Sequence, residues 1–306
     1  MLRTLNEVVD AARRPDPCTI AVAVAQDPDV LTAVYAAADR GLVRPLLVGN
    51  KAEILQIARE ASLPVSEDSI VDEPDKAAAC MKAAALVRDK KAGLLMKGFV
   101  DTALIMRAVL SSENELRKSS QISHVVVMET PGFDRLFYVT DSAMNIAPTL
   151  EQKAAILENA VEVAHSLGNE QPKVAVLCAV EKVNPKMPCT LDAQELTERN
   201  RRGEITGCLV DGPLALDNAV SAAAAKHKGI DSPVAGYADI LLAPDIEAGN
   251  ILNKSLEYFS GAKKAGVIMG AKAPVVLTSR ATSAESKMYS IALGVLIAVQ
   301  AKEMNR

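Results

Sequence analysis

The feature that most constrains this chain is the regular alternation of short apolar runs with longer stretches of helical pattern. The apolar runs at 19–25 and 93–97 are followed by helical stretches at 27–40 and 102–110. Short apolar runs of this kind are typical of strands that are buried on both faces of a parallel sheet. The alternation therefore predicts an α/β fold, in which a mostly parallel sheet carries helices on both faces.

The alternation is interrupted once, near the middle of the chain. Two strand-like runs, 122–129 and 135–140, are separated by the turn signal Thr130-Pro131-Gly132. Such a close pair predicts antiparallel strands, and we place a domain boundary at this point. The predicted α/β domains are residues 1–131 together with 283–306, and residues 132–282.

The second half alternates again and gives further local predictions. We expect a strand at 207–211 that ends in Asp-Gly-Pro, because this tripeptide is typical of a turn. A single helix is expected at 216–226, with Asp217 as its cap. In open α/β sheets, ligands bind beyond the carboxyl ends of strands, often between domains. The polar strand-end turns that we expect to converge on one cleft lie near Lys97, Asp141, Asp211, Asp245 and Thr278.

Composition limits the classes of function. Of the 306 residues only 3% are aromatic, Trp is absent and the net charge is −4, which disfavours a nucleic-acid platform and an anionic membrane surface. The five cysteines are scattered without a CxxC pair, which indicates a reducing cytoplasm and neither zinc nor a disulfide framework. The apolar run at 291–299 is too short to span a bilayer. We therefore expect a cytoplasmic protein without metal, nucleic acid or membrane as a partner.

The stretch 274–286 carries the most informative pattern. Val275 to Leu277 form a short apolar strand, and Thr278, Ser279 and Arg280 follow where this strand must end. Two hydroxyls and a guanidinium at the end of a buried strand can bind an anion. Ser and Thr are also ordinary loop residues, and an Arg after a strand is often a surface charge.

A helix is expected to begin directly after this polar turn. Thr282 and Glu285 have the spacing of a capping box, which places the helix start near Ser283. The free backbone N–H groups of a helix start attract anions, and phosphate above all. This stretch therefore predicts a phosphate site at a strand-to-helix junction.

Five longer stretches carry a resemblance to a known family. They are GLLMKGFVDTALIMRAVL (93–110), YVTDSAMNIAPTLEQKAAILENAVEVA (138–164), VDGPLALDNAVS (210–221), DILLAPDIEAGNILNKSLEYF (239–259) and APVVLTSRATSAESKMYSIAL (273–293). In these stretches, and over nearly its whole length, the chain resembles the phosphate acetyl/butyryl transferase family, and most closely its butyryl-specific members.

The resemblance implies a reaction and an architecture. The reaction converts an acyl-CoA and orthophosphate into an acyl phosphate and free CoA, so CoA is a substrate and no tightly bound cofactor is implied. The architecture comprises two α/β domains with a cleft between them, similar to isocitrate and isopropylmalate dehydrogenases, in which the last helix returns to the first domain. A homodimer or larger homo-oligomer is also implied.

The resemblance also assigns residues to the site. Ser279 and Arg280 match the family's Ser-Arg pair, which binds phosphate and the acyl carbonyl, and Arg107 matches a second family arginine. We predict these three as catalytic. The further residues that we predict to bind substrate are Lys97, Thr278, Ser283, Glu285, Ser286, Asn250 and Lys254.

One position departs from the family pattern. Acetyl-specific members carry an Asp six residues after the Arg, proposed as the base that takes the proton from the CoA thiol, and here this position is Ser286. Either another group acts as the base or none is needed. A thiol with a pKa near 8.5 is already a few per cent thiolate at neutral pH, and a nearby cation lowers that pKa further.

Three other functions are compatible with parts of the pattern. A metal- and NAD-dependent decarboxylating dehydrogenase would share the architecture but needs a carboxylate cluster, and no GxGxxG is present. A non-catalytic domain that senses CoA or an acyl phosphate would explain the missing Asp. Acetyl-CoA is the alternative substrate, because chain-length preference depends on the shape of a pocket.

Overall fold

Helices and strands alternate along the chain in the computed structural model, which describes residues 1–278 and 282–304. The helices are α1 (Leu5–Ala12), α2 (Pro28–Asp39), α3 (Lys51–Glu60), α4 (Lys76–Arg88), α5 (Thr102–Leu110), α6 (Leu150–Ser166), α7 (Pro188–Arg201), α8 (Leu216–Val220), α9 (Ala222–His227), α10 (Ile246–Ser260) and α11 (Ala284–Met304). The strands are β1 (Cys18–Ala23), β2 (Val43–Gly49), β3 (Ile70–Asp72), β4 (Leu94–Lys97), β5 (Ser123–Glu129), β6 (Phe137–Thr140), β7 (Lys173–Leu177), β8 (Leu209–Leu214), β9 (Ile240–Leu242), β10 (Lys263–Met269) and β11 (Val275–Val276).

Polar residues set the beginnings of several helices. Asp27, Asn50, Asp75 and Thr149 each accept a hydrogen bond from the backbone N–H three residues further along. Each bond satisfies one of the N–H groups that a helix start leaves without an intrahelical partner, at a gain of about 1 kcal/mol. Short polar residues in the sequence therefore fix where α2, α3, α4 and α6 begin.

The chain divides into two compact units. The first, here called the N-terminal unit, comprises Leu5–Lys118 and Ala265–Arg306, and the second, the central unit, comprises Met1–Thr4 and Ser119–Lys264. Both units combine strands with helices, so the predicted α/β class is confirmed. The predicted domain ranges, 1–131 with 283–306 and 132–282, and the cleft between them stay predictions.

The N-terminal unit is built on a sheet with the strand order β3-β2-β1-β4-β11-β10. All neighbouring pairs from β3 to β11 are parallel, whereas β10 and β11 are antiparallel. The middle of α11 is fully buried, with Ile291, Ala292 and Leu293 at 0% exposure. Gly294 allows this helix to approach the sheet closely, because an added Cβ would press on the side chains of Leu94 and Val276.

The central unit is built on strands in the order β5-β6-β9-β7-β8. The β5–β6 pair is antiparallel, as the Pro-Gly turn predicts, and the β6–β9, β9–β7 and β7–β8 pairs are parallel. Residues from β5, β6, β7 and β9, among them Met128 and Leu241, form its apolar core together with small residues of α8 and α9. This core contains aliphatic side chains and Phe137, in keeping with the low aromatic content.

Two local predictions for the central unit are wrong. The Asp211-Gly212-Pro213 segment is not a turn after the strand but lies inside β8, which continues to Leu214. It stays extended because β8 keeps pairing with β7 at the edge of the sheet, where a proline without an N–H is tolerated. The helix expected at 216–226 is divided at Ser221, which has extended backbone and caps α9. The residue before α8 is Ala215, so Asp217 lies within the first turn and is not the cap.

Candidate active site

A small cavity of about 80 Å³ lies in the N-terminal unit at the carboxyl ends of three neighbouring parallel strands, β1, β4 and β11. The residues that line it are Asp27, Asp29, Val30, Lys97, Gly98, Phe99, Thr278 and Lys287. The sheet order reverses between β1 and β4, because β2 and β3 lie on one side of β1 and β4 on the other. Ligands of open α/β sheets bind at such switch points, beyond the carboxyl ends of the strands.

The ends of β1 and β4 are held together by backbone contacts beside this cavity. The amides of Gly98 and Phe99 donate hydrogen bonds to the carbonyls of Ala23 and Val24, at 2.9 and 2.8 Å. A Cβ at position 98 would overlap the Val24 carbonyl oxygen, so only glycine fits. Val24 itself has φ +57°, a left-handed conformation that costs a β-branched residue about 1–2 kcal/mol. Backbone strain of this kind clusters at functional sites.

Lys97, which ends β4, places a buried charge on the cavity. Its side chain is 7% exposed, and its Nζ donates to the carbonyl oxygens of Val100 and Gly98 at 3.0 and 3.3 Å. Burial raises the pKa of the neighbouring Cys80 thiol to about 11, and the positive charge of Lys97 opposes that increase. The carbonyl contacts hold the ammonium group at the strand end, where a ligand would lie.

Thr278 and Lys287 reach the same cavity from the other side. Thr278 lies two residues beyond the end of β11 and is buried, and Lys287 on α11 is only 3% exposed. The Lys287 Nζ donates a hydrogen bond of 2.6 Å to the carbonyl oxygen of Thr282. The cavity therefore has a hydroxyl and two buried ammonium groups, which suit an anionic ligand.

Two carboxylates also line the cavity, but neither is placed to act as a buried base. Asp27 caps α2, because its Oδ1 accepts a hydrogen bond of 2.9 Å from the Val30 amide. Asp29 lies in the first turn of α2 and is exposed to solvent. Among the described lining residues, the buried charges are therefore those of the two lysines.

Some of the site residues predicted after β11 lie within the described part of the chain, and others do not. Ser279 and Arg280 lie outside the described residues, directly after Thr278 in the chain. Ser283 precedes α11, and its Oγ accepts a hydrogen bond of 3.1 Å from the Ser286 amide, so the predicted helix start near Ser283 is confirmed. Glu285 lies on the exposed side of the first turn of α11.

The predicted capping box between Thr282 and Glu285 is wrong. The helix begins at Ala284, which makes Ser283 the residue that precedes it. The Glu285 carboxylate accepts a hydrogen bond of 2.7 Å from the Tyr289 hydroxyl, whose oxygen also lies 3.0 Å from the Asn6 Oδ1 on α1. The helix starts one residue later than a Thr282 cap requires, because the Ser283 hydroxyl takes the capping bond.

Arg107 lies on α5, the helix that follows β4. Its side chain is exposed, and within the described residues no ion pair or hydrogen bond engages its guanidinium. The guanidinium is therefore not part of a structural salt bridge in the described chain. Its exposure is compatible with the predicted role of contacting a substrate.

Asn250 and Lys254, the other predicted substrate-binding residues, belong to the central unit. They lie one turn apart on α10, and Lys254 pairs with Glu257 at 3.1 Å. Glu257 also pairs with the largely buried Lys264 at 2.6 Å. Burial would raise the pKa of Glu257, but the two lysines lower it overall. Lys254 therefore already has a carboxylate partner on its own helix.

Asn250 is held by a network of polar groups at the ends of β6 and β9. Its Nδ2 donates a hydrogen bond of 3.0 Å to the carbonyl of Ser142. The buried Asp141 carboxylate accepts bonds from the amides of Ala143 and Met144 and from Asn145, which fixes the loop that carries Ser142. A Cβ at Gly249 would overlap the carbonyl of Asp141, so the loop and the start of α10 are in close contact.

The buried His124 supports the same loop from β5. Its Nδ1 lies 3.0 Å from the Ser142 Oγ. Burial lowers the pKa of His124, while the carboxylate of Asp141 opposes this effect. Ser142 is fully buried, so this Ser–His contact is structural and does not present a nucleophile to a substrate.

The strand-end turns are divided between the two units of the chain. Lys97 and Thr278 line one cavity in the N-terminal unit, and Asp141 and Asp245 lie at neighbouring strand ends in the central unit, where Asp245 caps α10. Asp211 belongs to neither group because it lies within β8. Within residues 1–278 and 282–304, no cluster of His, Cys, Asp and Glu is suited to hold a metal ion. No helix in this part of the chain is long and apolar enough to cross a membrane.

Sequence reasoning missed three charged residues of the cavity, Asp27, Asp29 and Lys287, of which Lys287 is the buried one. A signal was present, because Lys287 is the single charged residue between Ser286 and Gln300 in an otherwise apolar helical pattern. A lysine in such a pattern faces either solvent or a polar cavity, and the sequence does not distinguish the two.

Comparisons with known proteins agree with this arrangement. The family model described as phosphate acetyl/butaryl transferase matches residues 69–295. A phosphate butyryltransferase of Clostridium acetobutylicum is 49% identical over 298 residues, which cover 97% of this chain and 99% of that protein. The crystal structure of a branched-chain phosphotransacylase from Enterococcus faecalis V583 matches with a TM-score of 0.81 at 37% identity, and it covers 92% of this chain and 99% of that one.

A more distant structure shares the fold alone. The 4-hydroxythreonine-4-phosphate dehydrogenase of Klebsiella pneumoniae matches with a TM-score of 0.56 at 14% identity, covering 92% of this chain and 99% of that one. The fold is therefore shared with a dehydrogenase as well as with the phosphotransacylase. The extent and identity of the nearer matches establish that the chain belongs to the phosphate acetyl/butyryl transferase family.

Proposed function

We propose that this protein is a phosphate acyltransferase that converts a short-chain acyl-CoA and orthophosphate into an acyl phosphate and CoA, with butyryl-CoA as its preferred substrate. The observation that carries the proposal is the 49% identity to a phosphate butyryltransferase over nearly the full length of both chains. The cavity at the switch point of the N-terminal unit supports it, because its two buried lysines suit a reaction between anions.

The chemistry requires two negatively charged substrates to approach each other. Phosphate and the CoA thioester repel, so cations must neutralise the phosphate before it attacks the carbonyl carbon. Guanidinium groups bind phosphate oxygens in pairs, which is the role that we assign to Arg280 and Arg107. Lys97 and Thr278, at neighbouring strand ends, provide a charge and a hydroxyl in the cavity.

Attack produces a tetrahedral intermediate with a negative oxygen. We assign its stabilisation to the hydroxyl of Ser279 and to backbone amides at the start of α11, near Ser283, Glu285 and Ser286, because such amides attract developing negative charge. The enzyme then acts by holding both substrates in one ternary complex, and no covalent enzyme intermediate is required.

The remaining assignments concern CoA and the assembly. We assign Asn250 and Lys254 to contacts with substrate, with CoA as substrate and product and without a tightly bound cofactor. We further propose that the protein acts in the cytoplasm as a homodimer or larger homo-oligomer, without nucleic acid or membrane as a partner. Acetyl-CoA is the second candidate substrate, because the matching family model covers acetyl and butyryl enzymes alike.

The experiment is a thiol-release assay with orthophosphate and a series of acyl-CoA substrates: acetyl-, propionyl-, butyryl-, isobutyryl- and benzoyl-CoA. We expect phosphate-dependent release that is fastest with butyryl-CoA, and a loss of at least about 100-fold in Arg280→Ala. Arg59→Ala is the matched control, because Arg59 is an exposed arginine on α3 in the same unit.

The possible results separate the candidate functions. Highest activity with acetyl-CoA would favour phosphate acetyltransferase. Wild-type protein that binds CoA but releases no thiol would favour a sensing domain. Full activity in Arg280→Ala would reject the assigned role of Arg280.

A further inference from the structure

We propose that Lys287 stabilises the sulfur of CoA as a thiolate, both when the thioester bond breaks and when CoA attacks an acyl phosphate in the reverse reaction. This inference rests on the proposed acyl transfer and deepens it by naming the group that acts on the leaving sulfur. Nothing in the family pattern described above assigns a role to position 287.

The charge of Lys287 lies at the cavity. Lys287 lies on the first turn of α11, is 3% exposed and lines the cavity with Lys97 and Thr278. A charge in a site from which water is largely excluded acts on a neighbouring anion more strongly than the same charge in solvent. A cation held there would stabilise an anionic sulfur without reorganisation during the reaction.

The Lys287 ammonium group has the capacity to donate further hydrogen bonds. An ammonium group has three N–H donors. Within residues 1–278 and 282–304, one donor of Lys287 is used, in the 2.6 Å bond to the Thr282 carbonyl. This bond fixes Nζ at the strand-to-helix junction.

Lysine and arginine side chains suit different anions. A planar guanidinium matches the paired oxygens of a phosphate, whereas an ammonium group is a compact point charge that suits a single atom such as sulfur. Of the described residues that line the cavity, neither carboxylate is a spare buried base, because Asp27 caps α2 and Asp29 is exposed. Stabilising the thiolate directly therefore replaces removal of the thiol proton by a carboxylate.

The other charged groups around Lys287 determine the net field. Lys97 on β4 adds a second positive charge, whereas Asp27 and Asp29 on α2 and Glu285 on α11 oppose it. Asp29 and Glu285 are exposed, so solvent weakens their effect. The two lysines are the more deeply buried charges, and the field at the cavity favours an anion.

The step balances without a further reactant. In the forward direction a phosphate oxygen forms a bond to the carbonyl carbon, the C–S bond breaks, and its electron pair remains on sulfur beside the Lys287 ammonium group. The proton that the phosphate loses passes to solvent, which later protonates the released thiolate. In reverse, the thiolate attacks the acyl phosphate and orthophosphate leaves.

The test follows the reverse reaction, butyryl phosphate with CoA, as a function of pH. The quantity measured is kcat at saturating CoA and butyryl phosphate, which rises as the bound thiol ionises. For the wild type we expect an inflection about one unit below the free thiol value of about 8.5. In Lys287→Met we expect the inflection to move up by about one unit and the rate at neutral pH to fall about tenfold, whereas Lys287→Arg keeps the low inflection.

Lys91→Met is the matched control, because Lys91 is an exposed lysine of the same unit, and we expect it to behave as the wild type. A fall in rate in Lys287→Met without a shift of the inflection would overturn the inference, since it would show that Lys287 only supports the Thr282 carbonyl. A wild type that is inactive in both directions would instead reject the proposed function.

A measurement on the wild type avoids dependence on a variant that does not fold. The ultraviolet absorbance of the thiolate is followed while enzyme-bound CoA is titrated, with desulfo-CoA as the blank. We expect the bound thiol to ionise at lower pH than free CoA. An unchanged or raised pKa of the bound thiol would overturn the inference.

Discussion

The side-chain nitrogen of Lys287 lies 2.6 Å from the carbonyl oxygen of Thr282, so a buried cation on the first turn of α11 is tied to the segment that leads into that helix. Side chains on a helix lean toward its N-terminus. Lys287 therefore directs its charge back to the end of β11, where Thr278 and Lys97 meet the same cavity. Residues that are far apart in the sequence thus place two ammonium groups and a hydroxyl at the carboxyl ends of neighbouring strands.

Arg107→Ala is expected to reduce activity without affecting stability. Its side chain is exposed and has no partner within the described residues, so the free energy of unfolding should change by less than about 0.5 kcal/mol. We expect kcat/KM for phosphate to fall about 100-fold and Arg107→Lys to recover little of it, because a lysine cannot bind two phosphate oxygens as a fork. Steady-state kinetics with phosphate as the varied substrate, alongside urea unfolding, measures both effects. Wild-type kinetics in Arg107→Ala would remove Arg107 from the site.

Gly98→Ala is expected to damage both stability and activity. The added methyl group would overlap the carbonyl oxygen of Val24. Relieving this overlap would push the ends of β1 and β4 apart. We expect a loss of about 3 kcal/mol or more in the free energy of unfolding, and activity to fall with it. Gly229→Ala is the control, since Gly229 has φ +65° and open space around it, and only its backbone strain of about 1 kcal/mol applies. Equal costs at the two positions would contradict the close approach at Gly98.

The fold was largely predictable from the sequence because its pattern is local. Thr102 to Leu110 reads as a helix from its own periodicity, and the Pro131-Gly132 turn indicates an antiparallel pair. The extended Asp211-Gly212-Pro213 segment was not predictable, because its conformation depends on pairing with β7. A sequence with a local turn signal stays extended when a neighbouring strand supplies its hydrogen bonds.

Asn250→Asp is expected to be more harmful than Asn250→Ala. The Asn250 amide donates to the carbonyl of Ser142, and a carboxylate there would face that oxygen without a proton to donate. We expect the alanine variant to lose about 1 kcal/mol in the free energy of unfolding and the aspartate variant more. For kcat/KM with butyryl-CoA we expect a fall of about tenfold in both, with the aspartate variant lower. Urea unfolding and steady-state kinetics measure the two effects, and an aspartate variant that equals the alanine variant in both would contradict this interpretation.

His124 is expected to make the protein less stable in mild acid. Burial lowers the pKa of His124 in the folded protein below its usual value of 6.5. Below about pH 6.5 the unfolded chain binds a proton at this histidine, whereas the buried imidazole of the folded chain does not. The free energy of unfolding therefore falls as the pH falls below about 6.5. The loss is at most about 1.4 kcal/mol per pH unit until the folded histidine is protonated.

Urea unfolding at about pH 7 and pH 5 measures this effect, for the wild type and for His124→Asn. We expect the variant to be less stable at neutral pH because it loses packing, but to lose less stability on acidification. His227→Asn is the control, because His227 is exposed at the end of α9 and should retain the wild-type pH dependence. A pH dependence in His124→Asn as steep as in the wild type would assign the acid sensitivity to other groups.

The site was predictable only in part. Lys97 and Thr278 were found because each follows an apolar strand, and the carboxyl ends of parallel strands meet at one edge. Lys287 was missed because its burial depends on how α11 packs against α1 and α2, which no local pattern records. Asn250 and Lys254 came from the family motif alone, and the polar network that positions Asn250 required the structure.

The most direct test of the proposed reaction is an initial-velocity study in which butyryl-CoA and orthophosphate are both varied, with free thiol and butyryl phosphate measured together. We expect no thiol release without phosphate, one butyryl phosphate formed for each thiol, and intersecting reciprocal plots that show a ternary complex. Thiol release that does not require phosphate, or parallel reciprocal plots that indicate a covalent acyl-enzyme, would contradict the proposed reaction.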